Sequence, residues 1–269
     1  MPAAGRPPIR LVATDLDGTL LHTDGTVTAR TREVLTAVED LGVTVVFVTG
    51  RPVRWMDDLW EHVGGHGLAI VSNGGILYDV HDRSVRMART IPAAVGLDAA
   101  HLLRAAVPGT TFAMERLEGF AKEPGFMPRL PPPPDLRVGP LEEVLDDHVV
   151  KLLARHEDLE PEEFWRRTES HVGHLLTTTW SSVGALVEMS AAGVTKASTL
   201  ELLCRDRGID RSEVLAFGDM PNDLAMLEWS GTSYAMANGH PSVRALADHV
   251  APSNEDDGVA AVLERAFGL

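Results

Sequence analysis

The stretch Leu11-Val12-Ala13-Thr14-Asp15-Leu16-Asp17-Gly18-Thr19-Leu20-Leu21 begins with an apolar run and then places two aspartates one residue apart. The run predicts a buried strand, and Gly18 marks the turn that ends it. Asp15 and Asp17 would then lie at the carboxyl end of a strand, where open α/β sheets bind their ligands. Two carboxylates this close repel each other and therefore require a cation or a shared proton. A polar turn after a core strand is the alternative, and the motif alone favours it.

The segments that follow alternate between strand and helix patterns. The predicted elements are a helix from about Ala29 to Leu41, a strand at 43–48, a helix from Pro52 through Trp60 and a strand at 68–71. The strand at 43–48 is a β-branched run of the kind that fits a buried parallel strand. Strands that alternate with helices in this way predict βαβ units and a parallel sheet.

The pattern changes between about His81 and Met189. Short strand and helix patterns are interrupted there by a stretch rich in proline and glycine at 123–140, which indicates an inserted α+β module. The strand and helix alternation resumes near residue 190. The sequence therefore predicts an α/β protein whose doubly wound, Rossmann-like parallel-sheet core comprises residues 1–80 and 190–269. Residues 81–189 would form an inserted α+β domain.

Composition limits the class of partner. The chain has 269 residues, a formal net charge of −15 and one cysteine, Cys204, which excludes an intramolecular disulfide. The acidic balance argues against nucleic acid as a partner, because nucleic-acid binding requires a basic surface. No apolar run is long enough to span a bilayer, and Met1 to Arg10 lacks the apolar region of a signal peptide. We therefore expect a cytoplasmic protein without a membrane partner, and the sequence leaves its oligomeric state open.

Polar signals recur where the predicted strands end and where the helix after the insertion begins. In chain order they are Asp15 to Leu21, Thr49-Gly50-Arg51, Gly193-Val194-Thr195-Lys196-Ala197 and Gly218-Asp219-Met220-Pro221-Asn222-Asp223. These four segments resemble the motifs of the haloacid dehalogenase (HAD) superfamily of phosphotransferases. The later segments Met236 to Gly239 and Ser253 to Gly258 are similar to those of its Cof-type branch, subfamily IIB with a C2-type cap. The resemblance covers essentially the whole chain, and it implies that the inserted α+β domain at 81–189 is a cap domain that sets substrate specificity.

The resemblance implies a role for each motif residue. Asp15 would be the nucleophile that forms an aspartyl-phosphate, and Asp17 would protonate the leaving oxygen and later accept a proton from water. Mg²⁺ would be held by Asp15, the backbone carbonyl of Asp17 and Asp219, with Asp223 in its outer shell or against Lys196. The implied phosphate ligands are Thr49, Gly50, Lys196 and Asn222.

Each of these residues also has an ordinary structural interpretation. Lys196 alone would be a solvated surface charge, and Asp219 and Asp223 could be turn or cap residues. Thr49-Gly50 could be a simple turn from strand to helix, and Arg51 could enter that helix or bind substrate. Four motifs in order, each at a predicted strand end or helix start, outweigh these separate alternatives.

The sequence thus predicts an enzyme, a Mg²⁺-dependent phosphatase of small phosphorylated metabolites, with sugar phosphates as the expected class. A phosphomutase, or a phosphatase dedicated to a glycosyl-phosphate or phosphoglycerate, is the alternative among enzymes. A non-catalytic phosphosugar-binding protein, or a structural partner with a vestigial site, is the alternative outside them. Candidate substrate contacts are Arg51 and Asn73 in the core and, in the insertion, Arg116 and His174, with Lys122 and Trp180 also considered.

Overall fold

The chain forms alternating strands and helices, interrupted by a run of antiparallel strands. The structure, a computed structural model, describes residues 8–56, 67–128, 133–180 and 184–269. Its strands are β1 (Leu11–Thr14), β2 (Thr44–Val48), β3 (Leu68–Val71), β4 (Ile76–Asp79), β5 (Ser84–Ala88), β6 (Thr111–Arg116), β7 (Phe120–Lys122), β8 (Arg137–Val138), β9 (Val149–Arg155), β10 (Leu176–Thr179), β11 (Leu186–Ala191), β12 (Val214–Gly218), β13 (Thr232–Met236) and β14 (His249–Ala251). Its helices are α1 (Ala29–Asp40), α2 (Ala93–Ala106), α3 (Leu141–Val144), α4 (Pro161–Val172), α5 (Lys196–Asp206), α6 (Leu224–Trp229), α7 (Pro241–Leu246) and α8 (Gly258–Phe267).

The opening apolar run is the centre of a parallel sheet. All four residues of β1 are buried, and the strand pairs in parallel with β2 on one side and β12 on the other. Thr14 is in register with Phe47 and Phe217, so the three strands end at nearly the same level. The residues that follow them, including Asp15 and Asp219, therefore emerge along one edge of the sheet.

Eight strands make up this sheet, in the order β14-β13-β12-β1-β2-β3-β4-β5. The helices α1 and α8 pack together, as do α5 and α6. Thr28 caps α1 as its sequence suggests, because its hydroxyl accepts a hydrogen bond from the backbone N–H of Thr31. The predicted α/β fold with a parallel-sheet core is confirmed.

One strand of this sheet was not predicted. β4 runs antiparallel to β3 and follows it after a tight turn in which Ser72 and Asn73 both have left-handed backbone angles, with φ of 53° and 56°. Such angles carry strain in residues other than glycine, so they are a marker of a structurally demanding position. The predicted helix from Pro52 begins as a short 3-10 turn at Val53–Trp55. Its continuation through Trp60 lies outside the described residues.

The chain divides into two compact units. Met1–Arg86 and Lys196–Leu269 form the first unit, which contains the parallel core, and Met87–Thr195 forms the second. Both divisions fall a few residues after the predicted limits at 80 and 189. The role of the second unit as a specificity cap remains a prediction.

The second unit has its own sheet and core. Six strands lie in the order β10-β11-β9-β6-β7-β8, antiparallel except where β7 pairs with β8. Its buried core includes Phe112, Leu152, Phe164 and Val187. No helix in the described part of the chain has the length and apolar character that crossing a membrane requires.

Candidate active site

Three acidic side chains and one lysine converge at the carboxyl edge of the parallel sheet. Asp15 follows β1, Asp219 and Asp223 follow β12, and Lys196 is the first residue of α5. Ligand-capable oxygens of the three aspartates lie within 4.8 Å of one another. All four residues are buried, with exposed fractions from 0% for Asp223 to 7% for Asp219. The structure thus joins residues that are up to 208 positions apart (15 to 223) in the sequence.

Lys196 is the cation of this cluster. Its Nζ donates hydrogen bonds to Asp15 Oδ1 at 2.6 Å and to Asp223 Oδ1 at 2.7 Å. Only 1% of the residue is exposed, which rules out the interpretation of Lys196 as a solvated surface charge. Buried lysines are rare unless they are paired, and this one is paired twice.

Asp223 organises the loop that carries Asp219. Its second oxygen, Oδ2, accepts hydrogen bonds from the backbone N–H groups of Asp219 and Met220, both at 3.1 Å. With Oδ1 bound to Lys196, both oxygens of Asp223 are engaged by donors of the protein itself. This arrangement suits the predicted role against Lys196 better than direct contact with a metal.

The cluster holds more negative charge than its ammonium group balances. Burial raises the pKa of Asp15 well above its usual range, although Lys196 opposes this, and the charges of Asp223 and Asp219 raise it further. Burial and the charge of Asp223 likewise raise the pKa of Asp219 to about 7. For Lys196, burial disfavours the charge, but the carboxylates of Asp15 and Asp223 prevail and hold its pKa above the usual value. Carboxyl groups with pKa values raised in this way require either a bound proton or a further cation.

A divalent metal fits this donor set. Mg²⁺ is a hard cation that prefers a few carboxylate oxygens completed by water and phosphate oxygens. Asp15 and Asp219 provide such oxygens, and Asp223 lies beside them without a free oxygen of its own. A buried group of three carboxylates around one lysine therefore matches the cation demand that the sequence predicts. The identity of the metal remains a proposal.

Gly18 allows the turn after Asp17 to approach Asp219. Its φ is +75°, and a Cβ built on it would lie 2.3 Å from Asp219 Oδ2. The neighbouring Thr19 hydroxyl donates a hydrogen bond to Asp219 Oδ1 at 3.3 Å. Glycine is the residue that accepts both this backbone angle and this close contact.

We expect Gly18→Ala to displace the Asp219 carboxylate and to lower kcat/KM by about 100-fold, since a 1 Å error in an active site can cost that much. The matched control is Gly25→Ala in the same loop, where φ is +82° but nothing lies within 4 Å of the added Cβ. Both variants should lose about 1–2 kcal/mol of stability through the left-handed backbone angle. Steady-state kinetics and thermal unfolding measure the two effects, and equal activity of the two variants would contradict the role of the contact.

The predicted acid/base residue is bound to the arginine of the second motif. Arg51 Nε and Nη2 donate to Asp17 Oδ2 at 2.8 Å and Oδ1 at 2.5 Å, a two-pronged ion pair. The Asp17 side chain is 57% exposed, whereas Asp15, Asp219 and Asp223 are buried. Arg51 therefore contacts the predicted acid/base residue, and its role as a substrate contact stays a prediction. It fixes the orientation of the Asp17 carboxylate.

The remaining core residues of the prediction lie on neighbouring loops. Thr49 is buried and its hydroxyl accepts the backbone N–H of Arg51 at 3.0 Å. A Cβ on Gly50 would lie 3.0 Å from Asn73 Oδ1, and the same oxygen accepts a hydrogen bond from Asn222 Nδ2 at 3.2 Å. Asn73 is only 2% exposed. Its side-chain oxygen contacts Asn222, and a contact of Asn73 with substrate stays a prediction.

The candidate contacts in the insertion belong to the second unit. Arg116 forms an ion pair with Asp146 and is largely buried. His174 lines a surface groove together with His101 and Leu102. Lys122 donates its ammonium hydrogens to backbone carbonyls, including that of Phe126 at 2.9 Å. Arg116 and Lys122 are thus engaged in structural contacts, and a substrate role for any of the three remains a prediction.

Two asparagines near the site were given no role from the sequence. Asn238 Nδ2 donates to the backbone carbonyl of Gly18 at 2.7 Å, and Asn254 Nδ2 donates to that of Leu21 at 2.9 Å. Both occur in the two segments that resemble the end of the Cof-type branch. The available signal was Asn238-Gly239 directly after a strand, the same pattern as Asn73-Gly74 after β3.

The buried aspartates and the paired lysine thus lie at the carboxyl edge of a parallel α/β sheet, where such sheets bind their ligands. Sequence comparison identifies the family. The sequence model described as haloacid dehalogenase-like hydrolase matches residues 12–263. The chain therefore belongs to the haloacid dehalogenase-like hydrolase family, and it is a hydrolase of the phosphatase type. The resemblance inferred from the four motifs is confirmed.

Individual relatives align over nearly the full chain. The 5-amino-6-(5-phospho-D-ribitylamino)uracil phosphatase YitU of Bacillus subtilis is 28% identical, over 96% of this chain and 98% of its own. Pyridoxal phosphate phosphatase YbhA of Escherichia coli is 29% identical, over 93% and 96%. The solved structure of BT1666 from Bacteroides thetaiotaomicron, a phosphatase of the HAD superfamily, aligns with a TM-score of 0.83 at 24% identity, over 100% of this chain and 99% of that one.

Proposed function

We propose that the protein is a Mg²⁺-dependent phosphatase that hydrolyses small phosphorylated metabolites through an aspartyl-phosphate on Asp15. The observation that carries this proposal is the buried cluster of Asp15, Asp219 and Asp223 around Lys196, with carboxyl pKa values raised by burial and mutual repulsion. An anionic substrate could enter so acidic a site only with a local positive charge, which Lys196 and a divalent cation would provide. The cytoplasmic location expected from the sequence stays a prediction.

In the first step, an Asp15 oxygen attacks phosphorus and the bond from phosphorus to the leaving oxygen breaks. Lys196 engages Oδ1, which leaves Oδ2 as the attacking atom. Asp17 donates its proton to the leaving oxygen, so the product departs as an alcohol. Arg51 holds the carboxylate of Asp17 through both oxygens, so this ion pair must loosen for the proton to be carried and transferred.

In the second step, water attacks the phosphorus of the aspartyl-phosphate. Asp17 accepts the proton of this water, and the acyl-phosphate bond breaks. Inorganic phosphate is released and the Asp15 carboxylate is regenerated. Donors that would hold the phosphate oxygens during both steps are the Thr49 hydroxyl, the Gly50 N–H, Lys196 and the second amide hydrogen of Asn222. Bound Mg²⁺, held by Asp15, Asp219 and the backbone carbonyl of Asp17, would neutralise charge on the transferring group.

The substrate class is proposed as small phosphate monoesters, with sugar phosphates the first to test. The relatives YitU and YbhA are named for two chemically different leaving groups, a ribitylamino-uracil and pyridoxal. Both names specify a phosphate monoester of a small organic molecule, and this is the substrate class that we propose for this protein. The identity of the leaving group remains to be found by assay.

A panel of phosphate esters tests the proposal. Purified protein is assayed for inorganic phosphate with sugar phosphates, pyridoxal phosphate, phosphoglycerate and p-nitrophenyl phosphate, each with Mg²⁺ and with EDTA. Phosphate release that requires the metal is the expected result. Isomerised sugar phosphate without release would indicate a phosphomutase, and binding without turnover across the panel would indicate a binding protein.

We also expect Mg²⁺ to stabilise the protein more at high pH than at low pH. Because the pKa of Asp219 is raised to about 7 in the folded state, the metal-free protein loses stability as pH rises from the unfolded pKa through that value. Mg²⁺ replaces the missing proton, so its benefit grows over the same interval. At a concentration 100 times its Kd, the metal adds about 2.7 kcal/mol.

The measurement is thermal unfolding with Mg²⁺ and with EDTA at about pH 6 and about pH 8. For a protein of this size the stated gain corresponds to a rise in Tm of roughly 5–10 °C. Ca²⁺ and Mn²⁺ at the same concentration serve as comparisons for metal selectivity. An increase in Tm with Mg²⁺ that is equal at the two pH values would contradict the link between metal binding and the charge of the carboxylates.

A further inference from the structure

The segment 238–240 contacts both sides of the proposed metal site. It follows β13, turns through a hydrogen bond from Gly239 N–H to the Met236 carbonyl at 2.9 Å, and leads into α7. On one side, Asn238 Nδ2 donates to the Gly18 carbonyl at 2.7 Å. On the other side, the His240 N–H donates to the Asp219 carbonyl at 2.7 Å. Three consecutive residues thus connect the main chain after Asp17 to the main chain of Asp219.

The packing around this segment leaves little freedom. A Cβ on Gly239 would lie 3.1 Å from the Asp219 carbonyl oxygen, so the segment lies directly on the Asp219 backbone. Gly18 in turn lies against the Asp219 carboxylate, where an added Cβ would come within 2.3 Å of Oδ2. The carbonyl of Gly18, the segment and Asp219 therefore form a closed ring of contacts. Asn238 supplies the side-chain contact in that ring.

A second asparagine fixes the first. Asn238 Oδ1 accepts a hydrogen bond from the Asn254 N–H at 3.1 Å. Asn254 is 5% exposed, and its own Nδ2 donates to the Leu21 carbonyl at 2.9 Å. The Asn238 carboxamide is therefore oriented at both ends, with its donor group toward Gly18 and its acceptor toward the backbone of Asn254.

We propose that Asn238 is a positioning residue that sets the distance between the Asp17-Gly18 main chain and Asp219, and so tunes Mg²⁺ affinity. The inference rests on the proposed function, because it takes the Asp17 carbonyl and Asp219 as metal ligands. It adds a residue that contacts neither metal nor substrate. Groups that orient metal ligands in this way typically change metal affinity or activity by about 10–100-fold when removed.

Other contacts also hold the loop after Asp17 but lie farther along it. The Glu255 carboxylate accepts hydrogen bonds from the N–H and hydroxyl of Thr23 at 2.6 and 2.7 Å. The same carboxylate oxygen also accepts a longer hydrogen bond from Asn254 Nδ2 at 3.3 Å, but Asn254 has its shorter bond to the Leu21 carbonyl at 2.9 Å. None of these contacts involves Gly18, the Asn238 side chain or Asp219. Glu255→Ala is therefore the matched control: it removes a contact to the same loop from the same part of the chain.

The experiment measures Mg²⁺ binding by calorimetry together with thermal unfolding and kinetics. For Asn238→Ala we expect Kd for Mg²⁺ to rise about 10-fold, while kcat at saturating Mg²⁺ and KM for p-nitrophenyl phosphate change less than the metal affinity does. Asn238→Asp replaces the donor by an acceptor that faces the Gly18 carbonyl, so it should bind Mg²⁺ at least as weakly as Asn238→Ala does. Asn238→Gln keeps a donor and should recover part of the affinity. Because Asn238 is exposed, these variants are expected to fold.

The proposal would be overturned if Asn238→Ala bound Mg²⁺ with wild-type affinity, or if Glu255→Ala lost as much Mg²⁺ affinity as Asn238→Ala. Either result would mean that Asn238 only supports the loop in general. A wild-type protein that binds no Mg²⁺ in the calorimeter would overturn the metal dependence in the proposed function as well. If instead the wild-type protein binds Mg²⁺ and Asn238→Ala binds it equally well, only the role of Asn238 is overturned.

Discussion

Asp15→Asn is expected to lower kcat/KM for any phosphate ester by at least ~1000-fold, because the amide cannot form the acyl-phosphate. The variant should remain folded. Burial raises the pKa of Asp15, so the ionised carboxylate is held in the fold at a cost, and a neutral group of the same shape removes that cost. Lys196 keeps its second partner, Asp223, at 2.7 Å. Loss of activity without loss of Tm would therefore assign the effect to chemistry.

The control for this variant is Asp24→Asn. Asp24 follows Asp15 by nine residues (15 to 24), is exposed, and accepts hydrogen bonds from Thr26. Its replacement should leave kcat/KM close to the wild-type value. Acid quench of the wild type during turnover of a labelled ester should trap the label on Asp15 as an alkali-labile acyl-phosphate. Substantial Mg²⁺-dependent turnover by Asp15→Asn, or label on another residue, would refute the mechanism.

Lys196→Met is expected to be the most destabilising of the single substitutions considered. It leaves buried carboxylates without their ammonium partner, and breaking a buried ion pair in this way costs about 3–5 kcal/mol. For a chain of this length the loss corresponds to a decrease in Tm of roughly 6–20 °C. Activity should fall by at least about 100-fold even where the variant is folded, since the charge facing the transferring phosphate is also lost.

A double variant separates the two effects. Adding Asp223→Asn to Lys196→Met removes one of the uncompensated charges, so part of the lost stability should return. Activity should not return, because neither side chain can then neutralise the phosphate or orient Asp15. Thermal unfolding and phosphate release measured on all four members of the cycle provide the test. A wild-type Tm for the single variant Lys196→Met would show that the cluster does not depend on Lys196 for its charge balance.

The central strands could be predicted because their burial on both faces requires an unbroken apolar run. Thr44–Val48 and Leu11–Thr14 show such runs, and each ends in a turn signal. β4 could not be found in this way. Its pairing with β3 depends on left-handed angles at Ser72 and Asn73. Asn73-Gly74 is a turn signal, but the left-handed angle of Ser72 is uncommon for serine and is not indicated by the local sequence.

The candidate site was predictable where chemistry restricts the residue type. A lysine at a helix start is unfavourable for the helix dipole, and aspartates follow two strand ends; the four motifs in order indicated that these residues meet, and Lys196 does contact Asp15 and Asp223. The pairing of Arg51 with Asp17 was not predictable, because an arginine after a strand is equally consistent with a helix entry or a ligand contact. The position of Asn238 depends on how two distant loops pack, and a pattern of single residues contains no such information.

The position of β1 between β2 and β12 has a consequence for the order in which the chain folds. One neighbour of β1 begins about thirty residues later, but the other begins at Val214, after the whole of the second unit has been synthesised. Pairings of such long range are slow to form because a large loop must close first. Asp15 is therefore synthesised long before Asp219, and the cluster of carboxylates around Lys196 can assemble only after most of the chain has been made.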